Sequence, residues 1–439
     1  MNLRALWLIV CSFLLISCTS VNYEEHTDAG NKYVLQNGLT LLVKENPDTG
    51  MTALDLLVKR GIAQDGELFG IAHFTNRMLL SGTTKRNREE ITSAIENAGG
   101  TILARTYAEY SEIVIEVPSD SVSIALDILQ DVILNPSFDS QELEKERTTI
   151  LGELESKKDQ PAIVAEELFM KTLFANHPYQ HPIDGYTESV RRITREDMIK
   201  HYSDWYTAPN MILAIAGNVK KEPLVSVTSR LFKKLPANGK KENIPVPTLH
   251  KEPITNTEHM PIESFYIQQG YQLTPAKHPD FIALRLMNSI LGSGSGSRLF
   301  YELRDKRALA YSVYSIAPSI RTIGFVKIAM ISRPDIANQS IEGINEQVER
   351  IKNEEVPADE LSVVKQKIRG FFALDHQKTT DQANYLGLYE MQGVGYTYDV
   401  TYPDKIDAVT AQDVQRVAKM YLTVPVTAVV GPFEEVKIE

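Results

Sequence analysis

A chain of 439 residues with 43% apolar side chains can bury a large core, and its length implies two or more domains. The formal net charge of −11 argues against nucleic acid as a partner and against adhesion of the protein surface to anionic lipid. Both cysteines, Cys11 and Cys18, fall in the first 18 residues, so the rest of the chain holds no disulfide and depends on its core.

In chain order, residues 1–18 carry one early cation, Arg4, an apolar stretch from Ala5 to Ile16, and then Leu15-Ile16-Ser17-Cys18. The apolar run is too short to span a bilayer and ends in small residues, as in a bacterial export signal. Leu-Ile-Ser-Cys resembles a lipoprotein box with Cys18 as the lipidated residue, and Thr19 after it points to an outer-membrane anchor facing the periplasm. Residues 19–31 are polar without an apolar period and read as a tether. Tyr33 to Lys44 and Thr52 to Val58 read as paired strands. A helix containing His73 stops at Gly82, and an amphipathic helix follows from Arg88 to Ala98. Thr101 to Val117 reads as two adjoining strands, and a helix from Val122 to Leu134 ends before Asn135-Pro136. Asp139 or Ser140 caps a helix that runs through Glu146 and Glu153 to a stop near Pro161. Those glutamates lie seven residues apart, about two helical turns, so both carboxylates face the same way.

The segment 235–253, rich in Pro and Lys, reads as an interdomain linker between residues 32–234 and 254–439. The chain repeats itself across it. Thr194 and Asp197 recur as Thr410 and Asp413, an offset of 216 in each case (410 − 194 and 413 − 197). The apolar run Met211 to Gly217 recurs as Val426 to Gly431, and a duplicated α+β domain explains both echoes.

The chemistry-bearing stretch is His73-Phe74-Thr75-Asn76-Arg77. An intact H-x-x-E-H places two imidazoles on one helical face for zinc, with a carboxylate to take a proton from metal-bound water. Here Asn76 stands at the carboxylate position and cannot accept a proton at neutral pH, and Arg77 stands at the second imidazole position as a permanent cation.

These residues resemble the pitrilysin and insulinase peptidases, whose inverted zinc motif is followed some 76 residues later by a third ligand, a Glu. Counting on from Arg77 reaches Glu153. The resemblance extends through His177-Pro178-Tyr179, Pro182-Ile183-Asp184-Gly185, Trp205-Tyr206-Thr207-Ala208-Pro209-Asn210-Met211, Leu291 to Leu299, and Leu303-Arg304-Asp305-Lys306-Arg307-Ala308-Leu309-Ala310-Tyr311. It implies an α+β fold of two homologous α/β-sandwich halves, each a mainly antiparallel sheet packed with helices, pairing clam-like with a partner chain.

Of the residues that the resemblance assigns to zinc, only His73 and Glu153 remain, and a catalytic zinc needs three protein ligands. The expectation is therefore no metal in this chain and no zinc-dependent cleavage by it alone. Arg77 is expected to pair with Glu153, Glu146 or both, leaving His73, Asn76, Arg77, Glu146 and Glu153 as a vestigial metal site. Arg304 and Tyr311 match the family's substrate-clamping pair, a guanidinium and a hydroxyl directed at a substrate carbonyl. Ala104, Thr106 and Glu109 fit its peptide-capturing edge strand, with Leu103 where relatives often carry Asn. Together these imply a non-catalytic subunit that supplies Arg304 and Tyr311 to a zinc-bearing homologue acting on unfolded peptides. The alternative is a stand-alone peptide-binding or scaffolding lipoprotein.

Overall fold

A computed structural model describes residues 21–241, 243–318 and 320–432. The export segment and Cys18 lie outside the described residues. The first half runs β1 (Val21–Thr27), β2 (Gly30–Leu35), β3 (Thr40–Glu45), β4 (Met51–Val58), α1 (Ile71–Leu79), α2 (Arg88–Glu96), β5 (Thr101–Thr106), β6 (Ser111–Pro118), α3 (Val122–Leu134), α4 (Ser140–Lys158), α5 (Pro161–Leu173), α6 (Thr187–Arg192), α7 (Arg195–Trp205), β7 (Met211–Gly217) and α8 (Lys221–Phe232). The second runs β8 (Ile254–His259), β9 (Phe265–Leu273), α9 (Phe281–Gly292), a π-helical turn (Phe300–Lys306), β10 (Ser312–Ile316), β11 (Gly324–Ser332), α10 (Ala337–Asn353), α11 (Ala358–Asp375), α12 (Thr379–Gln392), α13 (Tyr398–Ala408), α14 (Ala411–Tyr421) and β12 (Val426–Gly431).

Five strands repeat with one topology. In the first sheet the order is β1-β2-β3-β7-β4-β6-β5, and in the second β10-β11-β9-β12-β8. Among the described residues the only parallel neighbours are β3 with β7 and β8 with β12, and each pair is followed outward by three antiparallel strands. The helices that start at the repeated Thr and Asp carry the same reciprocal cap: Thr194 with Asp197 opens α7, and Thr410 with Asp413 opens α14.

Residues 21–31, expected as a tether, are instead β1 and the start of β2, with Glu24 opposite Tyr33 and Glu25 opposite Lys32. β1 sits at the edge of the sheet with most of its side chains in solvent, so it has no apolar alternation from which a strand could be read.

The central strands of each sheet are covered on both faces, while alternate side chains of the edge strands β5 and β10 stay exposed. One face of the first sheet packs on its own helices through Leu54, Leu56, Phe74, Ile128 and Ile150, and the second half has an equivalent core. The opposite faces are covered by exchange: α12 of the second half lies across β4 and β7, and α5 of the first half lies across β9 and β12. Leu386 and Met391 thus pack on Leu42, Leu57 and Ile212, while Phe169 and Leu173 pack on Phe325, Val426 and Ala428. Gly270 permits the second contact, because a Cβ there would lie 2.3 Å from the Val326 carbonyl and 2.5 Å from the Phe169 ring.

Candidate functional site

The helix α1 begins at Gly70, whose φ of 90° is left-handed and whose missing Cβ leaves room for the Asp184 carbonyl, 2.6 Å from where it would sit. One turn on, His73 is largely buried, and neither ring nitrogen has a hydrogen-bond partner among the described residues. Burial, with the Arg77 cation adding to it, pushes the His73 imidazole down to about 4, so the ring is neutral at physiological pH.

Asn76 is fully enclosed. Its amide nitrogen donates to the backbone carbonyls of Arg105 (2.8 Å) and Glu112 (3.2 Å), and its carbonyl accepts from the Tyr206 hydroxyl (3.3 Å). The residue at the proton-acceptor position therefore ties α1 to β5 and β6, using both ends of its amide. Arg77 reaches α4, where its Nε pairs with Glu146 Oε1 at 2.5 Å and its Nη1 donates to Glu153 Oε2 at 2.7 Å. One guanidinium thus spans both carboxylates. Their surroundings differ: the Glu146 side chain is 5% exposed and that of Glu153 is 44% exposed.

A second cation at this site escaped the sequence reading. Arg88, at the start of α2, donates to Glu146 Oε2 (2.7 Å) and to the Ser81 hydroxyl (2.6 Å). A lone Arg at a helix start, 58 residues from its partner, leaves no periodic signal to find. Beside His73, Lys157 Nζ pairs with Asp184 Oδ2 at 2.5 Å.

In the second half, Arg304 lies on the π-helical turn Phe300–Lys306. Its guanidinium rests 4.6 Å above the Phe300 ring, with no carboxylate partner among the described residues. Tyr311 precedes β10 and is 62% exposed. The backbone between them is held firmly. The Leu309 amide donates to the Leu303 carbonyl (2.7 Å), the Ser332 and Ser340 hydroxyls donate to the Leu309 carbonyl, and the Tyr311 amide donates to Ile331 O (2.9 Å). Two free polar side chains therefore stand on a rigid support.

The first-half edge is β5, with Leu103 half-exposed and Ala104 and Thr106 on the same strand. Glu109 is not part of it. It sits in the hairpin after β5, where its carboxylate accepts from the Tyr179 hydroxyl (2.5 Å) and from the Arg321 backbone amide (2.7 Å). Glu109 is thus a latch between the halves, consumed by a contact far away in the sequence.

The family pattern described as Insulinase (Peptidase family M16) matches residues 40–186, and that described as Peptidase M16 inactive domain matches residues 192–368. The chain belongs to the insulinase family. An uncharacterized zinc protease of Bacillus subtilis is 26% identical over 89% of this chain and 95% of its own length, and one of Rickettsia felis is 27% identical over 91% and 96%. Among solved structures, a peptidase M16 inactive domain protein of Pseudomonas fluorescens superposes with a TM-score of 0.87 at 23% identity, covering 93% of this chain and 99% of that one. A protease from Helicobacter pylori gives 0.86 at 22% identity, covering 94% and 100%. These two likenesses concern the fold.

An insulinase-family fold implies zinc, and the donors present here do not fit it. A catalytic zinc requires three protein ligands and an open position. Both α4 carboxylates are already paired with the Arg77 guanidinium. Among the described residues no three His, Cys, Asp or Glu side chains gather in a way that could hold a metal ion. The arrangement is an ion-pair network that joins α1, α2 and α4.

Proposed function

We propose that this insulinase-family chain is the non-catalytic subunit of a heterodimeric zinc metallopeptidase that degrades unfolded peptides in the bacterial envelope. In this reading the zinc belongs to a homologous partner subunit, and this chain holds none. Cys18 carries the lipid that tethers the pair to the outer membrane, facing the periplasm. Arg304 and Tyr311 are this chain's contribution to the reaction, a guanidinium fork and a hydroxyl donor that stabilise charge developing on the substrate carbonyl.

One observation carries the reading. The first-half site is closed by Arg77 on Glu146 and Glu153, while Arg304 and Tyr311 stand exposed on a hydrogen-bonded backbone with no acid or hydrogen-bond partner among the described residues.

The test compares peptidase activity of this chain, of its nearest homologue with an intact zinc motif from the same cell, and of the two mixed. Activity is expected in the mixture alone, with Arg304→Ala and Tyr311→Phe each lowering it by roughly a hundredfold, the usual cost of removing one such donor. Cleavage by this chain alone, or a mixture no more active than the homologue, refutes the proposal. The second result leaves a stand-alone peptide-binding or scaffolding lipoprotein. Replacement of Cys18 by Ala is expected to release the pair from the membrane fraction.

A further inference from the structure

The second half holds a cavity of about 420 Å³ framed by α9, α11, α12, α13 and the end of β10. In the duplicated topology α9 corresponds to α1 and α11 to α4, so this cavity occupies the place that the closed Arg77 site has in the first half. Among the described residues no carboxylate forms an ion pair across it.

Its chemistry is aromatic and cationic. Phe372, Tyr385, Tyr389 and Tyr402 form much of the wall, and Phe371, 54% exposed, stands at the mouth. The Arg285 guanidinium lies 5.7 Å from the Tyr402 ring centre and 5.9 Å from that of Phe281, and no carboxylate of the described residues is within ion-pairing distance of it. Lys367, the other cation of the lining, donates to the Ser293 backbone carbonyl. The single acid, Asp375, already accepts from the Tyr385 hydroxyl at 3.2 Å. In a chain of net charge −11, this pocket carries two cations against one engaged carboxylate. Asn288 of the lining is 9% exposed, and its side-chain oxygen has no partner among the described residues, an acceptor waiting for a donor.

We infer that the pocket receives the carboxy-terminal residue of a peptide. The free carboxylate meets Arg285, an apolar or aromatic side chain enters between the rings, and the terminal amide N–H donates to Asn288 Oδ1. The volume is at the lower end for small-ligand pockets and holds one end residue rather than an extended segment. The charge balance selects a carboxylate over an ammonium, and a guanidinium matches a carboxylate through paired N–H donors. The choice of a peptide to carry that carboxylate rests on the function proposed above.

The test titrates the purified chain, without any partner subunit, with acetyl-Ala-Ala-Phe as the free acid, with its C-terminal amide, and with 3-phenylpropionate. The free acid is expected to bind about tenfold more tightly than the amide, the effect of one charge-assisted contact. Arg285→Gln is expected to erase that preference, and Phe371→Ala to weaken both peptides alike. Both side chains are exposed, so each variant is expected to fold. Equal affinity for acid and amide, a preference that survives Arg285→Gln, or no binding of the acid at millimolar concentration overturns the inference. Binding of 3-phenylpropionate as tight as that of the free acid overturns the peptide part of it. An inactive mixture of subunits combined with an intact acid preference would remove the proposed function and leave the pocket standing.

Discussion

Arg77 and Glu153, 76 positions apart in the chain, meet at 2.7 Å, while the same guanidinium holds the more deeply enclosed Glu146 with its Nε. The two carboxylates therefore differ in what they lose if the cation is removed. Arg77→Met is expected to destabilise the protein by roughly 2–4 kcal/mol, because Glu146 is left enclosed with Arg88 alone. Glu153→Gln is expected to cost less than about 1 kcal/mol, since its side chain is largely solvated. Urea unfolding of both variants measures the difference, and equal losses would show that the network is not organised around Glu146.

Two histidines, His201 buried and His376 partly buried, impose pH dependences of opposite sign. Arg60 Nε donates to His201 Nε2 at 2.8 Å, which makes that nitrogen an acceptor, and burial followed by the Arg60 charge holds the ring well below the usual imidazole range. A depressed folded pKa means that its stabilisation is complete above about 6.5, the unfolded value, and is lost as pH falls below it. Burial opposes protonation of His376 as well, but its Nε2 faces Asp399 Oδ1 (2.5 Å) and its Nδ1 faces the Phe372 carbonyl (2.6 Å), and the net shift is upward. Its stabilisation is complete below about 6.5 and is lost as pH rises through the raised folded value. Denaturation between pH 5.5 and 8.5 is expected to show the acid-side loss shrinking in His201→Gln and the alkaline-side loss shrinking in His376→Asn.

Asp55 lies on the face of the first sheet that α12 covers, and the Asn384 amide donates both to it (2.9 Å) and to Glu112 (3.2 Å). Burial, and then the Glu112 charge, pushes the Asp55 carboxyl well above the usual range. A raised carboxyl favours the protonated fold, so stability is complete below about 3.9 and is lost as pH rises through the folded value. Asp55→Asn is expected to stabilise the protein at pH 8 by roughly 1–3 kcal/mol. A loss of melting temperature in that variant at pH 8 would contradict the account.

Gly270→Ala is expected to destabilise by roughly 1–3 kcal/mol, because the added carbon presses on Val326 backbone and on the Phe169 ring of the other half. Since each half covers a sheet of the other, both are expected to unfold in one transition. Separate transitions for the two halves would show that the exchanged helices contribute little.

Much of this architecture is legible in residue order. The Thr194/Asp197 and Thr410/Asp413 pairs mark the duplication because a helix cap is a local structure, written within four residues. The helix from Asp139 through Glu153 is equally local, and the spacing from Arg77 to Glu153 identified the two ends of a contact the fold brings together. β1 was not legible because an edge strand in solvent needs no apolar side chains. The unbroken run Met211 to Gly217 announces a strand buried on both faces, but nothing in it names α12 as its cover.

The sequence by itself determined which side chains replaced the metal motif, the order of the elements and the family to which they belong, because these depend on residue identity and short-range spacing. Only the tertiary structure decided that Arg88 joins Arg77 at Glu146, that Glu109 leaves the edge strand to latch the halves together, and that α5 and α12 cross between them. The physical reason is common to all three: a buried charge or an apolar sheet face specifies that it must be satisfied, and which distant group satisfies it is set only when the chain closes around it.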